Sequence, residues 1–157
     1  MRNVFVSYAH RLDQADADAF RSKFGSGNMV FSDRSLSDDI GYLSDETIKN
    51  NYIRPKIRNS SVTIVLIGAE TDNRWWIDWE IYYSLLHTAG NDRNGVLGIL
   101  LPGKSHSIPK RILDNKDICP IVDMPQYSFQ LEDYIEQAYK NRIYNPDLSR
   151  PLRQRNS

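Results

Sequence analysis

The chain has 157 residues, and its 20 Lys and Arg side chains are balanced by 20 Asp and Glu side chains. This length favours a single domain with its own core, and the neutral balance argues against nucleic acid or an anionic membrane as a partner. The one cysteine, Cys119, excludes an internal disulfide, fits a reducing cytosol and is predicted to be a small buried hydrophobe. No stretch has the length of a membrane span and no signal peptide follows Met1, so we expect a cytoplasmic protein.

Residues 4–43 predict two strands, a helix and a long loop. Short apolar runs at residues 4–8 and 29–32 are typical of strands, and residues 12–24 between them have helical spacing. The polar stretch at residues 33–43 has no clean period, and long loops of this kind are more often functional than incidental. The helix is expected to turn one side to the core (Leu12, Ala15, Ala19, Phe20 and Phe24) and another to water (Asp13, Asp16 and Asp18).

A helix and a fully buried strand are predicted next. Ser44 is expected to cap the helix, and Pro55 to kink it or divide it into two, because a proline inside a helix loses a hydrogen bond. Residues 62–67 form a continuous β-branched and aliphatic run. Such a run is typical of a strand in the middle of a parallel sheet, where helices cover both faces.

An aromatic helix follows this strand after a turn at residues 68–74. The candidates for its N-cap are Thr71, Asp72 and Asn73. Helical periodicity places Trp76 and Glu80 on one face, four residues apart, so a carboxylate lies in an otherwise aromatic and aliphatic run. Successive helical positions point about 100° apart, so at least one of the three tryptophans of this helix must pack in the core rather than line a pocket.

The last third of the chain predicts two short strands and two helices. Strands are expected at residues 96–101 and 121–122, with one helical turn at 111–113 between them. Ser128 is expected to cap a final helix whose inward residues are Leu131, Tyr134, Ile135 and Ala138. Residues 1–144 are then one domain, and residues 145–157, rich in Pro and Arg, are predicted to be a loosely held basic tail.

This alternation of strands and helices predicts a flavodoxin-like, three-layer α/β/α fold. The sheet is expected to be mostly parallel, with about five strands in the order 2-1-3-4-5. Ligands of such folds bind beyond the carboxyl ends of the strands. That rim is expected to gather Ser7, Tyr8, the loop at residues 33–43 and the start of the helix at Trp75.

Several chemistries are disfavoured by the sequence. It has no GxxxxGK[ST] loop for nucleoside triphosphates and no GxGxxG after its first strand. The three histidines, His10, His87 and His106, lack the spacing of metal ligands, so no metal site is predicted.

Three segments, in this order, resemble the TIR domain family, and more closely the small bacterial TIR-like proteins of the Thoeris antiphage system. They are VFVSY at residues 4–8, the long loop after the second strand, and the W-x-x-x-E pattern of Trp76 and Glu80 after SSVTIVLIG. The likeness spans residues 4–101. Two features depart from it: Ile77 stands where the family has cysteine, and Asp33-Arg34 and Ile40-Gly41 replace the Arg-Asp and Pro-Gly signals of the loop.

The resemblance implies that NAD is a substrate, that no further cofactor is needed, and that Glu80 is the catalytic carboxylate. The other candidate contacts to NAD are Ser7, Tyr8, Ser32, Asp33, Arg34 and Trp76. Four of these residues have a simpler explanation. Ser7 and Tyr8 are as well suited to cap the following helix and fill the rim as to contact a ligand, and Asp33 and Arg34 could pair with each other or with a second copy. A lone helical glutamate is more often in an ion pair or a solvated face than catalytic, and only the TIR-like context favours catalysis here.

The resemblance also implies partners. A cyclic ADP-ribose isomer, or ADP-ribose if water reaches the site, would act as a nucleotide second messenger on a separate effector. Self-association between TIR domains or a phage-derived trigger would control activity. The alternative is a non-catalytic TIR-like adaptor that works by assembling with other TIR surfaces, for which Glu80 would be dispensable.

Overall fold

A parallel five-stranded sheet forms the centre of the molecule. The computed structural model describes residues 2–25, 28–31, 42–87 and 93–155. The strand order is β2-β1-β3-β4-β5, and every pairing is parallel. This order confirms the predicted flavodoxin-like α/β fold. The strands are β1 Val4–Ser7, β2 Met29–Phe31, β3 Val62–Ile67, β4 Gly95–Leu100 and β5 Ile121–Asp123.

Helices cover both faces of the sheet. One face packs against α1 (Gln14–Phe24) and α6 (Ser128–Asn141), and the other against the helical region between β2 and β3 together with α4 (Trp75–Leu85) and α5 (Lys110–Asp114). Side chains of β3 alternate between the two resulting cores, so all six of its residues are buried. The helices are α1 Gln14–Phe24, α2 Asp45–Thr47, α3 Arg54–Arg58, α4 Trp75–Leu85, α5 Lys110–Asp114 and α6 Ser128–Asn141.

A change of helical winding precedes Pro55. Ser44 caps α2 as predicted, and its hydroxyl accepts a hydrogen bond from the Thr47 backbone N–H at 3.2 Å. A π-helical segment, Ile48–Ile53, then joins α2 to α3, and the Arg54 N–H bonds to the Lys49 carbonyl. Because Pro55 has no N–H to donate to the preceding turn, the wider winding ends just before it and regular α-helix resumes.

Helix α1 differs from its predicted orientation. It begins at Gln14, and its buried residues are Ala17, Phe20 and Phe24, whereas the predicted core residues Leu12, Ala15 and Ala19 are exposed. Asp13, predicted to face water, is fully buried. Its carboxylate lies 2.5 Å from the Lys104 ammonium, and this distant partner is what permits the burial.

The first turn of α6 also differs from prediction. Ser128 is the first helical residue rather than the cap, and the Gln130 side chain accepts hydrogen bonds from the backbone N–H groups of Gln126 and Tyr127, both at 3.0 Å. The predicted inward side is confirmed: three of its four residues are buried, and Tyr134 is half-buried against the same core.

Two further predictions concern Cys119 and the C-terminal residues. Cys119 is buried as expected, and burial raises the pKa of its thiol to about 12.

The predicted loose tail is instead tied to the domain, because Leu148 and Leu152 pack against the core around α4 and the backbone of residues 147–153 is hydrogen-bonded to α4 and α5 side chains. Within the described residues, no helix has the length and apolarity that crossing a membrane requires.

Candidate functional site

A buried carboxylate meets the end of the first strand. Glu80, in the second turn of α4, is 0 % exposed, and its Oε1 accepts a hydrogen bond of 2.6 Å from the hydroxyl of Ser7. Ser7 is the last residue of β1, so the pair lies at the carboxyl edge of the sheet, where ligands of this fold class bind. A hydrogen bond of this length is short, and it fixes the position of the acid group.

A buried polar network holds α4 against the sheet. The hydroxyl of Ser84 donates to the backbone carbonyl of Glu80 at 2.7 Å and lies 2.7 Å from the Thr63 hydroxyl of β3. Asn94 joins this network, since its side chain donates to Thr63 at 3.3 Å and its backbone N–H donates to the Ser84 carbonyl at 2.8 Å. These hydrogen bonds therefore fix the position of the helical turn that carries Glu80 relative to β3.

The turn between β3 and α4 is closed by Thr71. The Gly68 N–H donates to the Thr71 hydroxyl at 2.7 Å, and Thr71–Asn73 forms a single 3₁₀ turn. The three residues predicted as N-caps therefore lie before the helix, and Arg74 occupies the N-cap position without a side-chain capping bond. The prediction of a cap at residues 71–73 was wrong because the Thr71 hydroxyl is used inside the turn.

Ser7 and Tyr8 lie on opposite faces of the sheet. Successive strand residues alternate in direction, so Ser7 points to α4 while Tyr8 points to the core around α1. The Tyr8 ring is 2 % exposed, and its hydroxyl donates to Gln14 at 2.9 Å. Burial raises the pKa of Tyr8, which keeps its phenol neutral at physiological pH. The structure thus brings Ser7, but not Tyr8, to the Glu80 carboxylate.

The three tryptophans of α4 form one edge-to-face cluster. Trp75 contacts Trp76 and Trp79 with ring centroids 5.8 and 5.1 Å apart, and all three rings are buried. Trp76 is 7 % exposed and lies one turn from Glu80 on the same helix face. The Trp79 indole N–H is already used, since it donates to the Arg153 carbonyl at 2.8 Å. The predicted contact of Trp76 with substrate stays a prediction.

A model of the family described as the Thoeris protein ThsB, TIR-like domain, matches residues 5–106. The chain belongs to this family. The match covers more than half of the chain and includes both Ser7 and Glu80, and it makes the protein a defence-related TIR-like domain. Residues 107–157, which include α5, β5 and α6, lie outside the match.

Three candidate residues of this TIR-like domain lie outside the described residues. Ser32, Asp33 and Arg34 belong to residues 32–41, which directly follow β2. Their predicted contacts to substrate stay predictions. The described part of the TIR-like domain also contains no group of three His, Cys, Asp or Glu side chains arranged to hold a metal ion.

The sequence did not predict an ion cluster that lies on the same rim of the TIR-like domain. Lys104, shortly after β4, lies 2.5 Å from both Asp13 and Asp16. Burial alone would lower the pKa of Lys104, but its hydrogen bonds to the two aspartates outweigh this and raise it. The cluster joins the segments that follow β1 and β4, and no local pattern marks it because Lys104 is 91 residues from Asp13.

Proposed function

We propose that this TIR-like domain cleaves the bond between nicotinamide and ribose in NAD, with Glu80 as the catalytic carboxylate. The product would be a cyclic ADP-ribose-type signal that activates a separate effector in antiphage defence. The observation that carries the proposal is the hydrogen bond between Ser7 and the buried Glu80 at the carboxyl edge of β1. Buried carboxylates at the ligand-binding edge of such a sheet are candidates for catalysis.

One carboxylate is sufficient for this reaction. Nicotinamide leaves a cationic ring as a neutral molecule, so no general acid is needed, unlike in ordinary glycosides, whose hydrolysis requires two carboxyl groups. Glu80 would bind ribose hydroxyls and stabilise the positive charge that develops on the sugar. Preorganised groups of this kind typically contribute about 100- to 1,000-fold to a rate. The Ser7 hydroxyl supports this role because it fixes one carboxylate oxygen.

The aromatic surroundings favour cyclisation over hydrolysis. Trp76 lies on the Glu80 face of α4, and its indole could stack on nicotinamide or adenine. A site from which aromatic rings exclude water lets a nucleophile of the nucleotide itself capture the sugar cation. Hydrolysis to ADP-ribose would instead require that water reaches the ribose.

The described conformation is closed around the acid group. Glu80 and Ser7 are 0 % exposed, so NAD can reach them only after a rearrangement of the rim. We therefore expect low activity in the isolated protein and stimulation by a phage-derived trigger or by self-association. NAD enters this scheme as the substrate, and no further cofactor is required.

The test compares Glu80→Gln with Glu132→Gln, which alters an exposed carboxylate of α6. Each protein is incubated with NAD, with and without phage-infected lysate, and products are identified by mass spectrometry. Glu80→Gln should lower nicotinamide release by about 100-fold or more. Its melting temperature should change by less than about 4 °C, and Glu132→Gln should behave as wild type. Wild-type release rates in the Glu80→Gln protein would refute the proposal.

A TIR-like adaptor is the second candidate, and exposed apolar side chains favour it. Val30, on the edge strand β2, is 52 % exposed, and Tyr42 is 84 % exposed. Such side chains are suited to contacts between copies of the domain. An adaptor would retain its function with Glu80→Gln and lose it when residues 33–43 are altered, so defence assays of both variants distinguish the two candidates.

A further inference from the structure

Residues 145–155 cross the outer side of α4 and form what we call the C-terminal strap. Asn115 holds its start, since its side chain donates to the Asp147 carbonyl at 3.0 Å and accepts from the Asp147 N–H at 2.6 Å. Leu148 and Leu152 pack against the core around α4. This segment lies outside the residues that match the ThsB family model.

Asp78 joins the strap to the helix that carries Glu80. One oxygen of Asp78 accepts from the Arg111 Nε at 2.8 Å, and the other accepts from the Arg153 backbone N–H at 2.9 Å. Arg111 is completely buried and also donates to the carbonyls of Arg150 and Pro151, at 3.0 and 3.1 Å. A buried guanidinium is costly without its acceptors, so α4, Arg111 and the strap are held together as one unit.

The strap also contacts the first turn of α4. The Arg153 carbonyl accepts a hydrogen bond from the Trp79 indole. The Arg153 side chain donates to the Asp72 carbonyl at 2.6 Å. The Arg155 guanidinium lies 5.5 Å from the centroid of the Trp75 ring and donates to Asp45 at 2.9 Å. The strap thus links α4 to the turn before it and to α2.

These contacts lie roughly opposite to Glu80 on the helix. Asp78 precedes Glu80 by two residues, which is a rotation of about 200° around a helix of 3.6 residues per turn. Bonds at Asp78 therefore set the rotation that directs Glu80 towards Ser7 and the sheet. Misplacement of a catalytic group by about 1 Å can cost about 100-fold in rate.

We propose that the C-terminal strap is a positioning element for the Glu80 site, with Asp78 and Arg155 as its positioning residues. The proposal rests on the proposed NAD cleavage, because it assigns the strap the task of holding the catalytic carboxylate in register with Ser7. Loss of the strap contacts should impair turnover more than substrate binding, since the strap lies on the far side of the helix from the substrate.

The experiment uses two Arg→Ala variants of the strap and one variant of Asp78, the residue that joins the strap to α4. Arg155→Ala removes the contacts to Trp75 and α2, whereas Arg150→Ala removes only an exposed ion pair with Asp114 of α5. Asp78→Asn keeps the side-chain volume and removes the charge. Nicotinamide release from NAD gives kcat and KM for each full-length protein under stimulated conditions. Hydrogen exchange of residues 75–85 and 145–155 reports the state of the helix and the strap.

Arg155→Ala and Asp78→Asn should each lower kcat by about tenfold, consistent with a sub-ångström displacement, and change KM by less than about twofold. Both should speed exchange of the hydrogen-bonded amides of α4, and Arg150→Ala should alter neither kcat nor α4 exchange. Faster exchange of the strap at wild-type kcat would overturn the proposal. If Asp78→Asn does not fold, the kcat and exchange of Arg155→Ala alone test the proposal.

A failure of the proposed function gives a different pattern. If the stimulated wild-type protein releases no nicotinamide, NAD cleavage is refuted and exchange alone tests the strap. In that case, faster exchange of the hydrogen-bonded amides of α4 in Arg155→Ala but not in Arg150→Ala supports positioning of the helix. Unchanged α4 exchange in Arg155→Ala overturns it.

Discussion

At the scale of single residues, side-chain direction distinguishes Ser7 from Tyr8, the two candidate site residues at the end of β1. Ser7 and Tyr8 are adjacent in sequence, yet only Ser7 meets Glu80, because strand residues alternate between faces. The Tyr8 phenol is neutral, buried and bonded to Gln14. A contact between Tyr8 and NAD stays a prediction, whereas Ser7 already contacts the proposed catalytic group.

Ser7→Ala tests this contact. The variant removes a donor to a buried carboxylate, and hydrogen bonds to charged groups contribute about 1.5–3 kcal/mol. We expect a modest loss of stability and a decrease in kcat of about tenfold, less than for Glu80→Gln. Urea unfolding and nicotinamide release measure the two effects, with Ser128→Ala as the control on an exposed residue. A Ser7→Ala protein with wild-type kcat would leave Ser7 with only a structural role.

At the scale of elements, Gly68 and Asp13 form a close joint between the segment before α1 and the turn after β3. A Cβ atom at Gly68 would lie 2.5 and 2.8 Å from the two Asp13 carboxylate oxygens. The carboxylate cannot move away easily, because it is buried and held by Lys104. The absence of a side chain at Gly68 is thus required by the packing of the buried acid.

Gly68→Ala should therefore destabilise the protein by about 1–3 kcal/mol through overpacking. A double-mutant cycle provides the control. In an Asp13→Ala background the added methyl group has room, so Gly68→Ala should then cost little, and the coupling energy should be close to the single-variant loss. Urea denaturation of the four proteins measures it. Additive effects would show that the clash with Asp13 is not the cause.

The elements were predictable where local pattern alone determines them. The bounds of β3 match the predicted residues 62–67, because a fully buried parallel strand needs an unbroken apolar run. The facing positions of Trp76 and Glu80 followed from helical periodicity. The sequence predicted only that Ser7 and the helix of Glu80 would lie on the same rim, since parallel strands of one sheet end at the same edge. It did not predict the hydrogen bond between Ser7 and Glu80.

The elements that were missed depend on partners far away in the sequence. Burial of Asp13 requires Lys104, and docking of the strap requires Arg111 and Asp78, which are 33 residues apart. Charged and proline-rich segments look solvated when only their own sequence is considered, because the ion pairs that allow their burial are not local. Only the assembled fold brings these partners together.

At the scale of the whole molecule, ion pairs connect both ends of the chain to its last helices. Arg2 bonds to Glu136 of α6 at 2.6 Å, and Arg150 of the strap bonds to Asp114 of α5 at 2.6 Å. The hydrogen bonds from these arginines are the main cause of the lowered pKa values of Glu136 and Asp114. Both ion pairs should therefore weaken in acid.

The expected pH dependence follows from the direction of the Asp114 shift. The folded pKa of Asp114 lies below its ordinary value of 3.8, so its contribution to stability is complete above that pH and is lost as the pH falls through the folded pKa. The difference in unfolding free energy between wild type and Asp114→Asn should be constant from neutral pH to about 5. It should shrink towards zero at lower pH, and 1 M salt should reduce it at every pH because the pair is partly exposed.

Asp123→Asn is the matched control, since Asp123 is an exposed aspartate at the end of β5. Urea unfolding at a series of pH values, followed by tryptophan fluorescence, measures the differences, and the strap contacts to Trp75 and Trp79 make this signal sensitive to docking. A difference for Asp114→Asn that persists unchanged below pH 3 would contradict the assignment, because the unfolded chain already binds a proton at Asp114 below pH 3.8 and this removes part of the difference. The ion pair would then not be the source of the measured difference, and the strap would be held to the domain by the Arg111 hydrogen bonds and by the apolar packing of Leu148 and Leu152.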